Sequence, residues 1–253
     1  MMFNTKVRSA WSSRQSPSWR RVRSGSLSAA AVLSLGLMPA CITSPTGAYL
    51  NADEAAAMKL KSCPAGLIDD GEDDNSQVMK VEGRDGYWFT FKDTEGTTVE
   101  PSGEFQMSQG GPPGSNYAAR MTGNVASAGK SLYVGMGFNL KDPQIPYDAS
   151  KYQGVSFWGK GPGIIRFKTP DVNTHPAGDR CSDCYNDFGV EIYLSEKWTR
   201  YTVPFEKMKQ QPGWGDPAPE VAKDALFAVQ WQYSKPGADF DIMIDNVEFV
   251  GCQ

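Results

Sequence analysis

Five carboxylates crowd one stretch near residue 70, where Leu67-Ile68-Asp69-Asp70-Gly71-Glu72-Asp73-Asp74-Asn75 runs, and a sixth, Asp245, lies inside an apolar run at the other end of the chain. An ionised side chain in an apolar strand is costly to bury unless a counter-charge meets it. Clustered carboxylate oxygens are also the ligands a hard divalent cation takes. The pattern predicts a structural calcium ion joining the two ends of the fold, held by Asp70, Glu72, Asp74 and Asp245.

A second set of residues suits a hydroxyl-rich ligand. In Leu132-Tyr133-Val134-Gly135-Met136-Gly137-Phe138 the apolar side chains take alternate positions, so Tyr133 faces outward beside two glycines. The same parity puts Trp158, Arg166, Lys168, Glu191, Tyr193, Gln230 and Gln232 on outward faces. Exposed rings can stack on the apolar face of a pyranose, while amides and charged groups pair its rim of hydroxyls. Signatures of catalysis are missing from the sequence. The single histidine, His175, stands in a Pro/Gly-flanked loop without a nucleophile motif, and there is no phosphate loop or dinucleotide fingerprint. Asp187 and Glu191 share a strand at a separation of about 13 Å, too wide for a glycosidase pair.

The elements that must position these groups are short and alternating. Runs at 87–91, 132–138, 155–158, 164–168, 189–194, 200–205, 226–233 and 240–250 read as strands between Gly, Pro and Asn, and no helical periodicity competes after residue 63. The stretch 103–129 reads as a long surface loop with one weak strand. In the last strand Phe240, Ile242 and Ile244 keep one phase and Val247 and Phe249 the other, which predicts a bend or bulge near Asp245. Tyr87 and Trp88 cannot both be outside the core, and Trp198 and Trp231 are expected within it. The fold class is all-β, a sandwich.

Leu67-Ile-Asp-Asp-Gly-Glu-Asp73, Trp198-Thr-Arg-Tyr-Thr-Val-Pro-Phe205 and Ile244-Asp-Asn-Val-Glu-Phe249 resemble the family 11 carbohydrate-binding modules and related galactose-binding-like and CIA30-like β-sandwiches, over roughly 65–251. The resemblance implies a jelly roll with calcium between its first and last strands. It also implies a concave cleft built on the strands of Tyr133, Arg166, Glu191 and Gln230. Tyr233 falls where those modules carry a cleft tyrosine, and Tyr185, Asp187, Gln210, Gln211 and Trp214 fall in their ligand loops. An arginine and an aspartate of the second loop are absent or replaced by Gln211 and Asp216, which puts the family's β-glucan preference in doubt.

Residues 1–23 carry six basic side chains and no acidic one, and the short apolar run 27–40 ends at Cys41. This is the pattern of a signal peptide over 1–40 with a lipobox, Leu37-Met-Pro-Ala-Cys41, whose cysteine would be lipidated. Residues 41–62 then read as a tether and 63–253 as one domain. Without the leader's six, 19 basic residues face 29 acidic ones, which argues against nucleic acid as a partner. Cys63, Cys181, Cys184 and Cys252 form an even set suited to an oxidising compartment. Three pairings are open. A sandwich places the residues flanking its first and last strands side by side, which favours Cys63–Cys252 and leaves Cys181–Cys184; zinc on His175 and the Cys181–Cys184 pair would be an incomplete set.

The expectation is therefore a monomeric, non-catalytic lipoprotein of a Gram-negative outer membrane or cell surface. It would bind a polysaccharide or glycan through Tyr133, Arg166, Tyr185, Asp187, Glu191, Tyr193, Trp214, Gln230, Gln232 and Tyr233. An envelope assembly module and a glycoside-active enzyme are the competing classes.

Overall fold

The computed structural model describes residues 49–50, 54 and 58–252. The expected signal peptide, Cys41 and most of the tether lie outside the described residues. All eight expected strands are present within a residue or two of their expected bounds, and both disulfides form, Cys63–Cys252 and Cys181–Cys184.

Two six-stranded sheets face each other. One runs in the order β1 (Tyr49–Leu50), β9 (Phe188–Tyr193), β8 (Ile164–Thr169), β11 (Ala228–Tyr233), β6 (Val134–Asn139) and β3 (Trp88–Lys92). The other runs β10 (Thr199–Pro204), β7 (Gly154–Lys160), β12 (Asp239–Val250), β5 (Tyr117–Asn124) and β4 (Ser108–Gln109), with β2 (Ser62–Asp69) added beside β12. Alternating side chains of both sheets meet in one core. Trp231 lies at its centre, stacked on Trp88 at 5.7 Å and edge-on to Phe157 at 5.3 Å and Phe167 at 5.7 Å. Such ring pairs add to the area they bury. Trp88 is thus core and its neighbour Tyr87 is exposed. Trp198, expected in the core, is only half-buried, with the Lys160 ammonium 5.2 Å from its ring centre.

Three features depart from or refine the sequence reading. β5, within the supposed loop, is a full eight-residue strand beside β12; its inward residues Ala119 and Met121 are buried. Tyr49–Leu50, within the supposed tether, pairs in parallel with β9 and buries Leu50. The bend in β12 is where expected. Residues 239–244 pair with β5, pairing with β2 begins at Val247, and the register against β7 shifts between Asp245 and Glu248. Asn246, in the left-handed region at φ 48°, takes up the extra residue.

Candidate functional site: a groove across one sheet

Glycines flatten the outer face of the first sheet. On β6 the outward positions are Gly135 and Gly137, and a Cβ at Gly135 would run into the Phe91 ring of β3. At Gly137 it would stand 2.8 Å from Gln230 Cγ of β11. Neighbouring side chains therefore lie down over β6 and leave a groove of about 880 Å³. Its floor is Gln230 and Gln232 of β11 with Arg166 and Lys168 of β8, which the register sets side by side as Gln230–Lys168 and Gln232–Arg166.

The walls are aromatic. On one side Phe89 and Phe91 lie with ring centres 6.1 Å apart, and Tyr133 follows 6.3 Å from Phe91. On the other stand the exposed rings of Tyr185 and Trp214, with His175 edge-on to Tyr185 at 6.2 Å.

Two loops carry that second wall, and one side chain clamps them. Asn186 Nδ2 donates to the carbonyls of Gln211 (2.8 Å) and Trp214 (2.6 Å), while its Oδ1 accepts from the Gln211 amide (2.8 Å). Gln210 Nε2 returns hydrogen bonds to the carbonyls of Asn186 and Asp216, both 2.9 Å. Asp216 Oδ2 accepts from the Ser182 amide and hydroxyl and the Asp183 amide, which together hold its carboxyl below the usual carboxylate range. The Cys181–Cys184 bridge closes the same turn.

Charge in the groove is unevenly matched. Lys168 Nζ is paired with Asp187 Oδ2 at 2.9 Å and sits 5.5 Å from the Phe91 ring centre. Asp187 Oδ1 is buried without a hydrogen-bond partner behind the groove wall. Arg166 is buried, and Nη2 donates to the carbonyls of Asp187 (3.1 Å) and Lys209 (2.6 Å). Burial draws its pKa down, opposed by the charges of Glu191 and Asp187. Burial likewise lowers the His175 imidazole, whose Nδ1 accepts from the Ala177 amide at 3.2 Å.

Of the ten residues expected to meet a ligand, the groove gathers Tyr133, Arg166, Tyr185, Asp187, Trp214, Gln230 and Gln232. Glu191 and Tyr193 share the outward face of β9 yet stand outside the groove lining. Tyr233 is a correction: it follows Gln232, so it points inward with Val229 and Trp231, 2% exposed and with its ring 5.7 Å from Phe240. The residues missed include Phe89, Phe91, Lys92 and Asn186, and the two phenylalanines sit in a run whose rings fill both phases.

At the far sheet the acidic stretch meets β12. Glu72 is spent on protein donors: the Ser115 hydroxyl and the amides of Asn116 and Tyr117 reach Oε1, and Asn116 Nδ2 reaches Oε2 at 2.8 Å. These bonds pull its pKa down to about 2. Asp245 differs: Oδ2 is buried without a partner, and burial raises its pKa to about 6. Gly111 is close-packed here, since a Cβ would meet Ser115 and stand 3.0 Å from Asp245 Oδ2. An orphaned carboxylate oxygen among oxygen donors fits a hard cation. Asp70 accepts the Glu72 amide (3.2 Å) and Asp74 stays exposed in the turn, so among the described residues no three carboxylates, cysteines or histidines are yet gathered about one point.

No family model and no curated protein matches the chain. Solved structures do. The solution structure of CtCBM11 aligns with a TM-score of 0.50 and 16% identity over 78% of this chain and 99% of that one. The family 11 carbohydrate-binding module of the cellulosomal cellulase Lic26A-Cel5E of Clostridium thermocellum gives 0.49 and 16%, over 78% and 96%. A family 11 module from Clostridium thermocellum in complex with a β-1,3-1,4-mixed-linked tetrasaccharide gives 0.48 and 16%, over 65% and 89%. The chain has the β-sandwich fold of CtCBM11.

Proposed function

We propose that this domain is a non-catalytic module that binds a polysaccharide in the groove across its first sheet. The observation that carries the reading is the groove's composition. Phe91 and Tyr133 on one wall and Tyr185 and Trp214 on the other offer ring faces, while Gln230, Gln232 and Arg166 between them offer hydrogen-bonding groups of both kinds. A glycan chain has the matching surfaces, apolar faces and a hydroxyl rim. The fold likeness supports the same reading. Among the described residues a single carboxylate, Asp187, lines the groove, whereas glycoside hydrolysis uses two, which supports binding without cleavage.

Two further parts of the reading belong here. A calcium ion at Asp245, drawing in the neighbouring acidic turn, would neutralise the orphaned Oδ2 and tie the turn after β2 to β12. A lipid on Cys41 would hold the module, as a monomer, at an outer membrane or cell surface, with no part for nucleic acid.

The test is affinity electrophoresis of the purified protein through gels containing single polysaccharides, with and without calcium. Retardation by at least one polysaccharide, relieved by the free oligosaccharide, is expected. A folded protein that no glycan slows would overturn the reading and turn attention to a protein partner.

A further inference from the structure

Among the described residues three cationic side chains, Lys92, Arg166 and Lys168, line the groove against one carboxylate, Asp187, although the chain as a whole has a net charge of −4. The cations are not equally compensated. Lys168 has Asp187 at 2.9 Å, and Lys92 stands exposed at the rim with its ammonium 3.4 Å from the Asp93 carbonyl. Arg166 is 8% exposed and takes part in none of the ion pairs among the described residues. Its one engaged nitrogen, Nη2, meets only backbone carbonyls. Glu191, its cross-strand neighbour on β9, adds a charge nearby without pairing with it and lies outside the groove. Buried charges in proteins are ordinarily paired. Here the groove leaves the pairing open.

Resting on the glycan-binding reading above, we propose that the ligand is an acidic polysaccharide whose carboxylate or sulfate meets Arg166. The guanidinium is a planar fork matched to either oxyanion, and a desolvated cation discriminates charge more sharply than an exposed one. From β8 to β3 the floor crosses three strand spacings, on the order of 14 Å. The anionic group is therefore fixed at the β8 side, and neutral parts of the chain extend over Gln230 and Gln232 towards Phe91 and Tyr133.

The test pairs each charged polymer with its uncharged twin: polygalacturonate with its methyl ester, and a sulfated galactan with its desulfated form. The purified protein is expected to bind one charged polymer about tenfold or more tightly than its twin, and added salt should erode the difference. Which pair shows the preference tells carboxylate from sulfate. Arg166→Gln should abolish the preference, Arg166→Lys should keep part of it, and Lys80→Gln, outside the groove, should leave it intact. Equal binding of both twins in both pairs overturns the charge inference and leaves glycan binding standing. No binding to any of the four, nor to neutral glucans, overturns both. A preference that survives Arg166→Gln overturns the assignment to Arg166. Should that variant fail to fold, the wild-type twins still decide the charge, and Arg166→Lys, which loses the fork and keeps the cation, decides the residue.

Discussion

At the scale of single residues, side-chain parity separates those that face the groove from those that hold the core. Phe91 and Trp214 stand on opposite walls, so replacing either by alanine is expected to weaken glycan binding roughly three- to tenfold, the exposed Trp214 doing so with the melt near wild type. Tyr233→Phe, by contrast, is expected to leave affinity within about twofold, because the ring is inside the sandwich. Isothermal titration of the three variants checks both statements; a Tyr233→Phe protein that loses binding would return that residue to the site. Parity was legible where polar and apolar residues alternate, as in Gln230-Trp231-Gln232. It was illegible in Tyr87-Trp88-Phe89-Thr90-Phe91, where four rings fill both phases, and only the paired glycines of β6 show which two face out. The resemblance misled at Tyr233, since alternation from Gln232 already sends the next side chain inward.

At the scale of elements, the second wall depends on how two loops hold each other. Asn186 is buried and engages Gln211 and Trp214 through three hydrogen bonds, so Asn186→Ala is expected to cost about 2 kcal/mol of stability and to weaken binding with Trp214 itself unaltered. Asp216 brings a pH dependence. Its folded pKa lies below the ordinary 3.8, so the clamp it forms is intact above that value and is lost as pH falls through the lowered one. The amide resonances of Ser182 and Asp183 should titrate with a midpoint below 3.8; a midpoint at or above 3.8 would show that these bonds do not hold the loop in solution. Loop contacts of this kind join residues 25 to 34 apart and carry no periodic signal, so the sequence placed Tyr185, Asp187 and Trp214 only by resemblance. β5 read only as a weak strand within a loop for a related reason. Its inward residues include Ala119 and a glycine at 123, too small to mark a phase, although β12 cannot be satisfied without it.

At the scale of the whole molecule, β12 is the strand on which the second sheet turns, and Asp245 sits where it exchanges β5 for β2. Three remote segments converge there: the acidic turn after β2, the 111–117 loop and β12 itself. Asp245 Oδ1 accepts from the Asn246 amide at 2.6 Å but Oδ2 is buried without a partner, a cost to the fold that a cation bound there would remove while binding only the folded chain. At a calcium concentration about a hundredfold above the dissociation constant the gain is about 2.7 kcal/mol, a rise in melting temperature of roughly 5–10 °C for a domain of this size. The melt should therefore fall when calcium is replaced by chelator. Asp245→Asn should respond to neither, and in chelator it should melt no lower than wild type, because the amide relieves the buried charge instead of neutralising it with metal. A wild-type melt indifferent to chelator would remove calcium from the account. The β2–β12 pairing and the Cys63–Cys252 bridge that flanks it would then hold the ends of the sandwich without metal.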